Sequence, residues 1–379
     1  MKIFLIADAY PTLSRFGGIG VYTRTAARAL AERGHEVHIL VGTIGKSFDT
    51  KDNSIQIHVR PVRWLPFFGR WLEGLGESLC LAWALFLLHR RYKFDIVEFP
   101  NWEGKGLVSA FLSFVPVVVH CHSATPEEIV SRNRQPKAGE KFMAWAERQS
   151  ARLAKATVTH SEAHRKKSMV TYGLRDIHLI THGIEIPKEV PLGSSNLVLY
   201  VGNLSPRKGI ENLFDAIPLV LSEVPNAEFV IVGNDPDHQY ERLFRRTHPK
   251  VPAEKVRFPG FVSDTERDDL YDKCAVFASA SSYESFGFTF LEAMAHGRPV
   301  VGIATSAIPE VVQDGETGIL VPPKNPQAFA HAIVRPLKDR HLRSLLGRKG
   351  RQVVLERYSS ARMAEAIEKF YGGVLNSKQ

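Results

Sequence analysis

The sequence predicts an α/β protein built as two doubly wound halves, and three observations carry that expectation. Short apolar runs closed by glycine alternate with amphipathic stretches, the period switch of repeated βα units. Pro187 to Asn196, with Gly193-Ser-Ser195 inside it, has linker composition, and the alternation restarts beyond it. The chain's 379 residues also exceed what one ordinary core fills. The expected domains are 1–190 and 195–357, with a terminal helix over 358–379 packing back on the first. Two such halves facing each other across a ligand cleft are the ordinary arrangement.

In the first half, Lys2 to Ala7 is a continuous apolar run and reads as a buried strand. A loop over Asp8 to Phe16 follows, then Gly17-Gly-Ile-Gly20 leads into an amphipathic helix through Glu32. Gly34 ends that helix, and His35 to Val41 is the next strand, giving a βαβ opening of the Rossmann type. A dinucleotide fingerprint would need glycine at position 23, where Thr23 stands, and a shorter loop. The glycines therefore indicate that backbone comes close to something else, such as a diphosphate. Ile55 to Arg60 is a strand. Pro61 to Trp71 is aromatic and basic, which suits either a membrane interface or an irregular packed loop. Leu75 to Arg91 reads as a buried helix, Phe94 to Glu98 and Val115 to His120 as short strands, and Glu140 to Lys155 as an amphipathic helix. Thr157 to His160 and His178 to Thr181 complete this half.

The second half opens on Leu197 to Val201, turns through Gly202 to Gly209, and continues in a helix from Ile210 to Glu223. Phe229–Val232, Val256–Phe258 and Ala275–Ala278 are strands. Phe288 to His296 is a short helix closed by Gly297 and Pro299, and Val300 to Ile303 a strand. Pro309 to Gln313 starts another helix, and Gly318 to Val321 is the last strand. Two long helical segments close the chain, Tyr358 to Tyr371 being the terminal one.

Composition bounds the function. A hydrophobic fraction of 44% and a charged fraction of 23% are those of a soluble globular protein. The first residues lack the regions of a signal peptide, and the longest apolar run, Leu79 to Leu88, is half a membrane span. Three cysteines (Cys80, Cys121, Cys274) in no paired or metal-like spacing fit a reducing cytoplasm. Net charge is +9, and Arg132 to Lys167 alone carries ten Lys or Arg against three Glu. No nucleic-acid module is recognisable, so this basic face points to a membrane surface or an acidic acceptor rather than to nucleic acid. The location expected is cytoplasmic, with peripheral contact at the inner face of a membrane.

The chemistry concentrates in Ser281 to Val301. Glu284 and Glu292 are separated by seven residues, and between them Gly287 opens the helix. The N–H groups near Phe286 to Thr289, at a positive dipole end, favour a phosphate. Carboxylates accept hydrogen bonds from sugar hydroxyls. Phosphate donors flanked by two hydroxyl acceptors suit a nucleotide sugar; the alternative is two solvated surface charges. Upstream, Arg207-Lys208-Gly209 sits between a strand and a helix, where two cations can clamp a diphosphate. His120-Cys-His122 ends a strand, and residues just past a carboxyl end face the ligand crevice, His122 more than His120. Two histidines two apart share a face and suggest metal, but no third ligand lies nearby in sequence.

Taken together, these residues resemble the retaining glycosyltransferases of the GT-B fold, specifically the GT4 family. The resemblance rests on Gly17-Gly18, His122, Val201-Gly-x-Leu-x-x-x-Lys-Gly209, Glu284 to Glu292, Ala293-Met-Ala-x-Gly-x-Pro-Val-Val301, Pro309-Glu310 and Asp314-Gly-x-Thr-Gly318. It covers nearly the whole chain, densely in the second half and loosely in the first. It implies that Gly17 and Gly18 lend backbone to the donor diphosphate and that Arg207 and Lys208 neutralise it as it departs. It further implies that Glu284 contacts the donor sugar and Glu292 the ribose. Gly287, Phe288 and Thr289 would meet phosphate or sugar, Val262 the base, and His122 the donor sugar near the reacting carbon. Where the family often has Arg, this chain has Asn203 at the diphosphate turn; Thr181-His-Gly-Ile-Glu185 and Gly233-Asn-Asp235 also depart from its pattern.

The implied reaction moves a sugar from a nucleotide-diphosphate sugar, UDP- or GDP-linked, to a hydroxyl of a saccharide, a lipid-linked saccharide or a small molecule, as in bacterial polysaccharide or glycoconjugate biosynthesis. No cofactor is implied, and no metal, because Arg and Lys stand in for it. In that family the leaving phosphate assists deprotonation of the acceptor on the same face, giving retention. A sugar-nucleotide epimerase or a non-catalytic binding protein on this architecture are the rival readings. Neither accounts for Lys208 and Glu284 both being present beside the Ala-Met-Ala-x-Gly-x-Pro run.

Overall fold

The computed structural model describes residues 1–7, 9–10, 17–62, 73–126, 129, 135–190 and 195–377. The chain divides into two compact units. One comprises Met1–Gly183 with Ser360–Gln379, the other Ile184–Ser359.

The first unit is an eight-stranded sheet in the order β3-β4-β2-β1-β5-β6-β7-β8. Its strands are β1 (Lys2–Ala7), β2 (Glu36–Thr43), β3 (Phe48–Asp52), β4 (Ile55–Pro61), β5 (Ile96–Pro100), β6 (Val117–Cys121), β7 (Ala156–Thr159) and β8 (His178–Leu179). All neighbours pair in parallel except β3 with β4. The β3–β4 hairpin turns at Asn53, whose φ of 54° is a left-handed value that asparagine tolerates. β3 was not among the expected strands because it lies on the rim and is mostly exposed, so it carries no apolar run. Helix α1 (Gly18–Glu32) connects β1 to β2, and Gly34 ends it in the left-handed region at φ 85°. Phe4, Ile6, Leu40, Leu85, Val97, Phe99, Val117, Val119 and Tyr172 share one core. The run Pro61–Trp71, singled out as a membrane or loop segment, lies almost wholly outside the described residues.

The terminal helix, Ser360–Asn376, belongs to this first unit. The Tyr371 hydroxyl donates to Glu98 Oε2 at 2.7 Å, and Arg33 Nε donates to Glu368 at 2.7 Å.

The second unit is a six-stranded, all-parallel sheet in the order β11-β10-β9-β12-β13-β14. Its strands are β9 (Leu197–Val201), β10 (Glu228–Val232), β11 (Val256–Gly260), β12 (Val276–Ser279), β13 (Val300–Ile303) and β14 (Gly318–Val321). Each face is covered, so the strands read as near-continuous apolar runs. Alternation along β9 sends Val198 and Tyr200 to one core, Leu197 and Leu199 to the other. The division falls at Gly183/Ile184, ahead of the expected linker, because the Ile184 N–H donates to the Tyr358 carbonyl at 2.8 Å. Residues 191–194 of that linker lie outside the described residues.

Three helices close the chain, not two long segments. Pro326–Lys338 and Arg340–Arg357 are split at Asp339, whose side chain caps the second by accepting the Leu342 N–H at 2.9 Å.

Candidate functional site

In the second unit the site is built where β9 and β12 end. Past β9 the chain turns through Gly202, forms one 3₁₀ turn at Pro206–Lys208 and enters helix Ile210–Glu223 through Gly209. Gly209 has φ +64°, and a Cβ there would meet the Ala280 carbonyl oxygen at 1.8 Å, so only glycine fits. That close approach brings the 203–209 loop against the loop leaving β12. Ser282 fastens the two, its N–H and Oγ donating to the Arg207 carbonyl at 3.1 and 2.8 Å.

The sutured loops align Lys208 and Glu284. Lys208 Nζ lies 2.6 and 2.8 Å from the two Glu284 oxygens, with the side chains 19% and 12% exposed. Sequence reasoning gave these residues separate tasks, one on diphosphate and one on sugar. In the folded chain they are partners. A cation held by a carboxylate is pre-positioned, and an arriving anion competes for it. Arg207 is exposed and sits 5.9 Å over the Tyr283 ring, a cation–π contact that holds it at the rim. Asn203, also exposed, uses its carbonyl to accept the Tyr200 hydroxyl at 3.1 Å.

Gly287, at φ +101°, starts helix Phe288–Ala295, a left-handed entry that glycine adopts without strain. Phe288 and Thr289 form its first turn, whose N–H groups stand at the dipole's positive end. Glu292 lies one turn further along and accepts the Tyr271 hydroxyl at 2.9 Å. Burial pushes the Glu292 carboxyl above its ordinary range, while Arg267 and that hydrogen bond pull the other way. Val262 packs against the core that also contains Tyr271, Phe286 and Phe290. Lys208 and Glu284 are thus brought together directly with Arg207 adjacent, Glu292 is bonded to Tyr271, and Val262 packs on the core that contains Tyr271.

The remaining expected residues belong to the first unit. Gly17 caps α1 with an exposed backbone and accepts the Val21 N–H at 3.1 Å; Gly18 is the helix's first residue. His122 stands just past β6, buried, with its N–H donated to Asn101 Oδ1 at 2.9 Å. Asn101 also donates to the Ser123 carbonyl and, at 2.6 Å, to the Tyr172 hydroxyl oxygen. Tyr172 donates to Glu147 Oε2 at 3.2 Å, and Glu147 takes both the N–H and the hydroxyl of Thr125. The loop carrying His122 is therefore pinned by one buried carboxyl. Burial pushes Glu147 up to about 7, although hydrogen bonds from Thr125, the Glu103 N–H and Tyr172 oppose the shift.

Around His122 the rings are stacked. His120 and His122 have centroids 4.0 Å apart, and His160 and His182 are 4.4 Å apart. Tyr22 meets His120, His122 and His182 at 4.5, 5.0 and 4.5 Å. Burial, reinforced by the neighbouring imidazoles, drives His122 and His182 well below the usual histidine range, so both rings are neutral at pH 7. Glu98 accepts His120 Nδ1 at 3.2 Å; burial raises its carboxyl, but His120 and two tyrosine hydroxyls outweigh that and hold it low. Sequence reasoning missed His160, His182, Glu147 and Asn101. His160 and His182 each follow the end of a short strand, and the carboxyl-end rule applied to β7 and β8 would have found them.

Among the described residues no helix is long and apolar enough to cross a membrane. Two family models match in tandem: "Glycosyltransferase Family 4" over residues 16–187 and "Glycosyl transferases group 1" over 184–353. An uncharacterized glycosyltransferase of Methanocaldococcus jannaschii is 27% identical over 98% of both chains. N-acetyl-alpha-D-glucosaminyl L-malate synthase of Bacillus anthracis is 24% identical over 99% of this chain and 98% of that one. Sucrose-phosphate synthase of Thermosynechococcus elongatus has the same fold, with TM-score 0.80 at 22% identity over the full length of both. HepE of Anabaena, solved in complex with UDP-glucose, superposes with TM-score 0.75 at 20% identity, covering 98% of this chain and all of that one.

Proposed function

Since the chain belongs to the family 4, group 1 glycosyltransferases of the GT-B fold, we propose that it transfers a sugar from a UDP- or GDP-linked donor to a hydroxyl acceptor with retention and without metal. The observation that carries this reading is the Lys208–Glu284 pair, an ammonium held at 2.6 Å in a half-buried loop beside a helix N-terminus. On donor arrival Lys208 turns to the diphosphate and frees Glu284 to take sugar hydroxyls. Lys208, the exposed Arg207 and the first-turn N–H groups of Phe288 and Thr289 stabilise the negative charge that develops on the leaving group. Glu292 takes the ribose hydroxyls and Val262 borders the base. Gly17 and Gly18 offer close backbone to the phosphates, and neutral His122 faces the donor sugar near the reacting carbon. The departing phosphate deprotonates the acceptor on the same face, which is why neither glutamate needs a nucleophile's role. Asn203, with a neutral side chain where the family often has a cation, leaves Arg207 carrying more of the phosphate charge.

The test is a thermal-shift screen against UDP, GDP and ADP and their sugars, repeated with Lys208→Ala. One diphosphate is expected to stabilise the parent and to lose that effect in the variant. An absence of stabilisation by every nucleotide refutes the donor assignment, and an unchanged shift in the variant refutes the clamp.

The acceptor is a saccharide, a lipid-linked saccharide or a small molecule, and the outer face of helix Glu73–Tyr92 favours the lipid-linked class in bacterial glycoconjugate synthesis, at the inner face of a membrane. Leu79, Trp83 and Leu87 recur every fourth residue and are 45%, 63% and 47% exposed, beside Arg60 and Arg91. An apolar stripe edged by arginines suits an anionic bilayer surface. Co-sedimentation with phosphatidylglycerol vesicles, and its loss in Trp83→Ala, is expected; equal pelleting with neutral phosphatidylcholine vesicles contradicts it.

A further inference from the structure

The transfer reading uses one imidazole of a group of four. The ligand atoms of His120, His122, His160 and His182 all lie within 4.8 Å of one another, and all four residues are buried. They come from consecutive strands of one sheet. His120 and His122 sit at the end of β6, His160 follows β7 and His182 lies beyond the two-residue β8. Such a convergence of borderline-soft nitrogen donors suits Zn²⁺ and its transition-metal neighbours and not Mg²⁺ or Ca²⁺, which take oxygen.

The surroundings of the group are those of a metal site's outer ring. A ligating histidine generally donates its other ring nitrogen to a carboxylate, which fixes the tautomer and raises the basicity of the ligating nitrogen. His120 has this arrangement, with Nδ1 3.2 Å from Glu98 Oε1 and Nε2 buried and unbonded among the described residues. Glu98 is in turn fixed by the hydroxyls of Tyr22 at 2.8 Å and Tyr371 at 2.7 Å. An imidazole held by its carboxylate, with its second nitrogen buried, beside three more imidazoles is a donor set that a cation can use.

We propose that His120, His160 and His182, with His122 as the fourth position, bind one imidazole-preferring divalent transition-metal ion, Zn²⁺ foremost. Tetrahedral Zn–N bonds of about 2.0–2.1 Å place the nitrogens roughly 3.4 Å apart, so the rings draw in from their present spacing by rotating about their side-chain bonds. The ion ties the carboxyl ends of β6, β7 and β8 together, which gives the short edge strand β8 an anchor that two residues of pairing do not. It neutralises no diphosphate, and His122 is the one residue it shares with the transfer reading.

The test uses the full chain without a histidine tag, stripped with chelator and titrated with Co²⁺, then with Zn²⁺ in competition. One equivalent of Co²⁺ is expected, with the intense visible bands of tetrahedral coordination, which Zn²⁺ abolishes on displacement. His160→Gln and His182→Gln, neither used in transfer, are expected to weaken binding beyond the roughly 10–100-fold that loss of an outer partner costs, and Glu98→Gln to fall within that range. Wild-type protein that takes up no stoichiometric Co²⁺ overturns the proposal whatever the variants do. So does stoichiometric binding unchanged in both histidine variants, with circular dichroism reporting that they fold. UDP-dependent stabilisation of the same samples separates failure of this site from failure of the donor site.

Discussion

The two units present opposite electrostatics at the carboxyl ends of their sheets. In the second unit the functional charges are partnered and reach solvent: Lys208 against Glu284, Arg207 over Tyr283. In the first they are buried, with stacked imidazoles, His122 and His182 among them held neutral, beside the buried Glu98. The difference teaches what each end is suited to do. An ion pair that still reaches solvent can be parted by an arriving anion, which replaces the lost partner. A buried polar cluster rearranges only as a unit and keeps its geometry. One end exchanges partners; the other holds position.

The largest effect should come from breaking the suture that makes the second unit's pair possible. Gly209→Ala puts a Cβ where the Ala280 carbonyl stands, at a left-handed φ. It should lose more than about 3 kcal/mol of stability in urea denaturation. A variant as stable as the parent would mean the two loops are not held as described.

Next is the exchangeable charge. Lys208→Ala should lower kcat/KM by roughly 10²–10³-fold, the cost of removing one preorganised electrostatic contact to a developing anion. Lys208→Ala with Glu284→Ala should fall well short of the sum of the two single losses, because the residues act as a pair. Additive losses would separate their roles again.

The fixed end can be probed by pH. Glu147 is raised to about 7 from an ordinary 4.5. Its folded form therefore holds a proton that the unfolded chain releases, so its contribution is complete below about 4.5 and is lost as pH rises through about 7. The neutral His122 and His182 impose the opposite slope below 6.5, since unfolding lets them protonate. Comparing parent with Glu147→Gln cancels that common term. The parent should lose about 1–3 kcal/mol relative to the variant between pH 5 and pH 8; parallel stability curves would show the carboxyl to be ionised throughout.

The smallest effect belongs to the surface. Arg33 and Glu368 are 38% and 36% exposed, and Arg33→Ala should cost no more than about 1 kcal/mol. A larger loss would mean that the terminal helix depends on this pair rather than on its buried face.

How much of this was legible beforehand follows the same division. The second unit's inner strands are apolar on both faces and its turns carry glycines, so β9, β10, β12 and β13 together with Gly209, Gly287 and Glu292 could be read from order alone. What could not be read was that Lys208 meets Glu284, because their contact depends on the close packing of Gly209 on Ala280, a distance with no sequence signature. In the first unit all strands but the exposed β3 were found, while of the histidine group only His122 and His120 were. His122 was visible as a strand-end histidine, whereas the same rule was not carried to His160 and His182, which follow strands of four and two residues. Glu147, in the middle of an amphipathic helix, reads as surface charge and is wholly buried. The split after Asp339 was missed because Lys338-Asp-Arg340 carries no glycine and its capping depends on side-chain geometry.

The return of Ser360–Asn376 to the first unit also sets a schedule. A ribosome releases Met1–Gly183, then all of Ile184–Ser359, and only afterwards the helix whose Tyr371 hydroxyl reaches Glu98. The second unit can fold as an uninterrupted stretch, while the first waits, with its buried carboxylate short of one donor and the outer face of α1 uncovered. During that interval the apolar positions that the terminal helix later covers stay open to solvent. Synthesis order thus makes the earliest-made sheet the last to be finished.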